Sequence, residues 1–178
     1  GVERDPEKSL SWARKSAEQG DVTGQLRLAY HYDAGIAVEA DPKQAAEWYQ
    51  RAADQGNARG ADLVGYLYHE GDGVEKNLEL AFKYSLQAAQ GGRRTAQRYV
   101  AEMYRDGRGV KQDREQSIRW YTEAAKQGDD LAQSQLGAIL FAVDPAAAAP
   151  WIEMAAREGE EMSQVQIAKM FCMGLGVE

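Results

Sequence analysis

Trp12, Trp48, Tyr84, Trp120 and Trp151 stand in one column of a register that advances by 36 residues three times and then by 31. Two other columns take the same steps. One is a run of small pairs, Ser16-Ala17, Ala52-Ala53, Ala88-Ala89, Ala124-Ala125 and Ala155-Ala156; the other is glycine at 20, 56, 92, 128 and 159. A fourth column, Val2-Glu3, Val38-Glu39, Val74-Glu75 and Val110-Lys111, follows Gly35, Gly71-Asp72-Gly73 and Gly107-Arg108-Gly109 where it recurs. Columns that slip together at one place mark an array of repeats with a single shortened unit. The chain begins on Gly1-Val2-Glu3 and ends on Gly176-Val177-Glu178, the same phase of the repeat. That coincidence predicts partial repeats at both ends of a longer array, with the apolar Met170, Phe171 and Met173 exposed on the last helix.

Each unit reads as two helices. In the second, Ala45, Trp48, Tyr49, Ala52 and Ala53 fall at i, i+3, i+4, i+7 and i+8, one face of an α-helix. Asp5, Asp41, Asn77, Asp113 and Asp144 are N-cap types, and Gln44 and Gln116 stand three residues after two of them in capping-box spacing. Pro6, Pro42 and Pro145 suit the first helical position, and the closing glycines suit the left-handed position past the end. The first helix carries Leu28, Val64, Val100, Leu136 and Ile167, with Tyr32, Tyr68, Tyr104, Leu140 and Phe171 four further on. Small residues at Gly24, Gly60, Ala96, Ala132 and Ser163 admit a close partner helix. Neither helix buries its stripe alone, so stacked pairs, five first and five second helices, make the core. The aromatic and Ala-Ala columns are assigned to that packing.

With 178 residues, 44% of them hydrophobic, the chain has the material for a sizeable core. A net charge of −7 disfavours non-specific nucleic-acid binding, and no apolar run is long enough for membrane insertion. The lone Cys172 leaves no disulfide framework. The turns GDGVEK and GRGVKQ lack the third glycine and the preceding strand of a phosphate loop. His31 and His69 make no metal pair, and His31 stands in a column otherwise filled by Leu67, Met103, Ile139 and Met170, which predicts a partly buried ring with a hydrogen-bond partner. Serine occurs in no nucleophile motif. No catalytic, cofactor or metal residue and no small-molecule substrate is assigned.

The stretches VGYLYHEGDGVEKNLELAFKYSLQAAQGG and VAEMYRDGRGVKQDREQSIRWYTEAAKQG resemble the Sel-one-like repeat (SLR) family of tetratricopeptide-like α-solenoids. The resemblance covers nearly all of the chain. It implies an all-α fold, a right-handed α–α superhelical solenoid of about five helix pairs forming a single segment over 1–178. It also implies a non-catalytic scaffold or adaptor that binds another protein, in a bacterial cytoplasm or periplasm. The alternatives it leaves open are an immunity protein neutralising a secreted toxin and an enzyme acting on cell wall or β-lactams. Two departures stand out. A secreted branch of the family staples its repeats with disulfides, which Cys172 alone cannot provide. The unit from Asp130 to Glu160 has lost five residues and its Gly-x-Gly-Val loop, and Pro150 falls in a helix interior, which predicts a tight connection and a kinked or late-starting helix.

Residues 93–128 hold nine basic side chains against five acidic ones in a chain that is otherwise acidic. Arg93, Arg94, Arg98, Arg105 and Arg108 are read either as ion-paired to acidic neighbours or as a dock for an acidic partner segment. The first helices are expected to line a concave face, their variable positions turned to a partner. Tyr30, Leu63, Tyr66 and Tyr99 are the predicted apolar centre of that site, and Arg27 and Arg98 its charged rim. The competing reading packs these rings on the next repeat.

Overall fold

A computed structural model describes residues 4–175, and every element among them is a helix. Ten follow in order: α1 (Pro6–Glu18), α2 (Val22–Ala34), α3 (Pro42–Asp54), α4 (Ala58–Glu70), α5 (Leu78–Gln90), α6 (Arg94–Asp106), α7 (Arg114–Lys126), α8 (Asp130–Phe141), α9 (Pro145–Arg157) and α10 (Glu161–Met173). The expected all-α architecture of consecutive helix pairs is what the chain adopts. The terminal Gly-Val-Glu tripeptides lie outside the described residues.

Local chemistry sets the boundaries. Asp5, Asp41, Asn77, Asp113 and Asp144 each accept an amide hydrogen three residues on, from Lys8, Gln44, Leu80, Gln116 and Ala147. Those bonds satisfy donors that a helix start leaves free. The glycines at 20, 56, 92, 128 and 159 all have positive φ, between 76° and 97°. The sequence reading did not name a second set of caps: Asp21, Asn57, Asp129 and Glu160 cap α2, α4, α8 and α10. Accepting the Gly24 amide lowers the Asp21 carboxyl below its usual range, and Lys8 does the same to Asp5.

The chain divides into two compact units, one holding α1 to α5 with Arg108–Val110, the other holding α6 to α10. Within the first, each helix packs on the next from α1 to α5. Leu28 of α2 seals against Ala13 and Ala17 of α1, with Leu10, Tyr32 and Trp48 around them. The small positions work as expected: a Cβ on Gly24 would stand 2.6 Å from the Ala17 nitrogen, and one on Gly60 2.9 Å from that of Ala53. Within the second unit α6 packs on α7, α7 on α8, α8 on α9 and α9 on α10. One core there joins Ala101, Tyr121, Ala124, Ala125, Ala132 and Leu136, and another joins Ala148, Ala149, Ile152 and Met170.

Glutamine pairs, each with one buried member, join the elements. Gln55 donates to Gln25 at 2.8 Å, and Gln127 donates to Gln97 at 2.7 Å, 30 residues apart in both cases. In the unit between, Ala61 replaces the first glutamine and Gly91 the second, and a Cβ on Gly91 would meet that of Ala58 at 2.4 Å. There Gln87 reaches the Ala53 carbonyl instead.

Three expectations are corrected. Trp12 is 67% exposed, not packed: Trp48 lies on Ala13, Ala17 and Leu28 of the preceding pair, and no pair precedes α1 among the described residues. Met170 is fully buried against Ala148, Ala149 and Ile152; only Phe171 and Met173 of the predicted apolar face are exposed. The connection from α8 to α9 is tight, Ala142-Val143, but α9 starts on schedule at Pro145 and runs on through Pro150. Pro150 and Ala146, the residue whose carbonyl its ring leaves without a donor, are both exposed.

Candidate partner-binding surface

The predicted site residues occupy the first helices of the repeats. In the first unit Arg27 and Tyr30 lie three apart on α2, and Leu63 and Tyr66 take the same register on α4. Helical side chains three apart share a face. Tyr30 is 53% exposed and Tyr66 60%, so neither ring is consumed by repeat packing. Arg27 is also exposed, and Leu63 is half-buried. Arg27 and Tyr30 come together on a shallow cavity of about 360 Å³ that Arg4, Asp5, Pro6, Ser9, His31 and Ile36 complete.

His31 is more deeply set than the sequence suggested. The ring is buried, with Nδ1 2.8 Å from the Ile36 carbonyl and Nε2 3.1 Å from Ser9 Oγ. In the neutral ring the carbonyl requires the proton on Nδ1, which leaves Nε2 to accept the serine hydroxyl. His31 thus ties α1, α2 and the following turn together behind Tyr30.

In the second unit Arg98 and Tyr99 sit on α6, and both are half-buried. Arg98 is held by Glu102 at 2.7 Å and by the Asp129 cap at 3.2 Å. Three other arginines of the basic stretch are also engaged within the chain. Arg93 grips Asp62 through two nitrogens, at 3.0 and 2.8 Å. Arg94 bonds the Gly128 carbonyl at 3.0 Å, and Arg105 bonds Asp106, the Tyr121 hydroxyl and Gln135. Of the two readings of the basic cluster, internal pairing describes Arg93, Arg98 and Arg105.

No group of three or more metal-ligating side chains comes together among the described residues, and none of their helices is long and apolar enough to cross a membrane. What the surface offers is large rings with hydroxyl tips beside guanidinium groups, the chemistry that recurs where proteins grip proteins.

The profile of the Sel1 repeat family matches residues 1–21, 22–57, 58–92 and 95–129. The chain belongs to the Sel1 repeat family. The matches stop before α8, yet α8, α9 and α10 continue the same helix pairing. Among solved structures, a protective antigen present in uropathogenic Escherichia coli strains, displaying an SLR fold, aligns over 98% of this chain and 38% of its own. Its identity is 32% and its TM-score 0.87. The chain therefore spans well under half of that antigen's length. A Sel1 repeat protein from Oxalobacter formigenes aligns over 97% of this chain and 73% of its own, at 26% identity and a TM-score of 0.85. An immunity protein from Pseudomonas aeruginosa aligns over 91% of this chain and 62% of its own; at 21% identity and a TM-score of 0.50 it shares the fold alone. No curated protein matches the chain. Sel1 repeats typically serve as protein-interaction scaffolds and are generally non-catalytic.

Proposed function

We propose that this chain is a non-catalytic adaptor that binds a partner protein on the exposed faces of its first helices. The observation that carries the reading is the pair of open rings at equivalent positions, Tyr30 on α2 and Tyr66 on α4. Helices that served packing alone have no need of exposed tyrosines at equivalent positions, whereas a binding surface gains large contact area at low entropy cost. Leu63 adds apolar area beside Tyr66 and Arg27 a charged edge beside Tyr30. Arg98 and Tyr99 complete the proposed set on the corresponding helix of the second unit.

The test is cross-linked affinity capture from the native host, with the unaltered chain and with Tyr30→Ala/Tyr66→Ala compared side by side. A true partner is retained by the first and lost by the second. For a hot-spot pair the affinity falls by about 2 kcal/mol or more, while the thermal melt is unchanged because both rings are exposed. A partner held equally by both proteins rules out this surface.

A further inference from the structure

We propose that the gap left by the missing loop between α8 and α9 is a pocket for an acidic, apolar segment of a partner protein, taking one aliphatic or aromatic side chain with a carboxylate beside it. The inference rests on the reading of the chain as a protein binder and names the chemistry of what one part of it binds.

Gly73 and Gly109 press so closely on the start of a second helix that a Cβ would stand 2.2 Å from the Pro42 carbonyl oxygen and 2.0 Å from that of Leu78. Pro42 and Leu78 are the first residues of α3 and α5, and the equivalent first residue of α7 is Arg114. The loop due to cover Arg114 is the one shortened by five residues, reduced to Ala142-Val143 before the Asp144 cap. In its place lies a cavity of about 370 Å³ lined by Arg105, Arg114, Ser117, Ala138, Ile139 and Ala142.

Two substitutions and the charge of its lining suit this cavity to a ligand. Position 138 is alanine where its column elsewhere holds Tyr30, Tyr66, Glu102 and Lys169, so the mouth is unobstructed. Ser117 takes a column filled by Ala45, Ala81 and Ala148 in three other repeats. It is 1% exposed, it lines the cavity, and its Oγ meets no hydrogen-bond partner. An orphaned buried hydroxyl is costly where alanine would serve, and a peptide group entering the cavity would satisfy it as donor or acceptor. No acidic side chain lines the space, and two guanidinium groups do. Arg105 is committed to Asp106, Tyr121 and Gln135. Arg114 makes a single long contact with the Ile139 carbonyl, 3.4 Å, and is the group placed to receive a carboxylate. The apolar walls come from Ala138, Ile139 and Ala142, and the volume suits one large side chain with its flanking backbone.

The probe is an array of immobilised octapeptides whose central pair combines Leu, Phe or Ala with Asp, Glu, Lys or Ser, incubated with the full chain. The best binder is then labelled with fluorescein and titrated by anisotropy. Leu or Phe beside Asp or Glu is expected to bind best. Ala142→Trp, which fills the mouth from an exposed position, should weaken that peptide at least tenfold. Arg114→Glu should move the preference from acidic to lysine-containing peptides, and Ser117→Ala should weaken binding several-fold. Should Ala142→Trp fail to fold, the charge-reversal result decides alone. An array without the apolar–acidic preference, or unchanged titrations with both Ala142→Trp and Arg114→Glu, overturns the pocket. A natural partner lost with Tyr30→Ala/Tyr66→Ala but kept by Ala142→Trp overturns the pocket and spares the adaptor reading. Selective peptide binding in a chain whose natural partner ignores the tyrosines does the reverse.

Discussion

Trp120 and Tyr121 are neighbours with different fates. The sequence reading put Trp48 and its neighbour Tyr49 on one packing face without ranking them, yet Tyr121 is fully buried while Trp120 only packs against that core from its edge. Tyr49 and Trp48 repeat the relation, with the Arg51 guanidinium 4.2 Å over the Trp48 ring. Adjacent aromatics differ by 100° around a helix, and both fit a stripe wide enough to face a core, so period alone could not rank them. Burial also changes the chemistry. It pushes the Tyr121 phenol up to about 12 although Arg105 pulls it down, and burial followed by the Asp54 charge pushes Tyr84 up to about 12 as well. A phenol whose proton is held more tightly in the folded state contributes stability that is whole below its ordinary value of 10 and is lost as pH rises toward 12. Chemical denaturation at steps between pH 8 and pH 12 should therefore show a flat stretch and then a fall. Tyr121→Phe should make that fall shallower. An alkaline limb identical to that of the unaltered chain would show that Tyr121 has no part in it.

Helices and their turns were largely legible, because caps and glycines are local signals that need no tertiary context. The second cap column escaped notice because Arg93 interrupts the run of Asp21, Asn57, Asp129 and Glu160, and the residue after a closing glycine reads as loop. Two kinds of glycine also looked alike in the sequence and differ in the structure. Gly128 has φ 76° and nothing near the place of a Cβ, whereas Gly109 has φ 69° and a carbonyl oxygen 2.0 Å from that place. Gly128→Ala meets only the left-handed backbone cost, about 1 kcal/mol. Gly109→Ala adds a collision with backbone that no rotamer relieves, so its cost should be about 3 kcal/mol or more. Denaturant midpoints of the two variants at equal slope measure the difference. Equal losses would mean that the loop does not press on α5 as described.

At the scale of the whole array, a repeat protein is legible where it repeats and opaque where it departs. The period announced the pairing of helices down to the turn glycines, and the same arithmetic located the shortened unit. What the arithmetic could not say is what a lost loop uncovers, since that depends on the neighbouring repeat. The fitting test is to restore the period. Replacing Ala142-Val143 with a copy of Asp106–Gln112 adds five residues and returns the unit to 36. The second glycine of the graft would then fall at the register of Gly73 and Gly109, above the carbonyl of Arg114, and close the cavity over Ser117 and Ile139. Lengthening a surface connection costs little, about 0.6 kcal/mol for each doubling, and the graft carries the Gly-x-Gly-Val sequence that already forms this turn elsewhere in the chain. The grafted protein should therefore keep its helical circular dichroism and melt within a few degrees of the unaltered chain. Its anisotropy titration with the apolar–acidic peptide should nevertheless weaken at least tenfold, while retention of a partner through Tyr30 and Tyr66 is untouched. A folded graft that binds the peptide as before would show that the missing loop is not what opens the site.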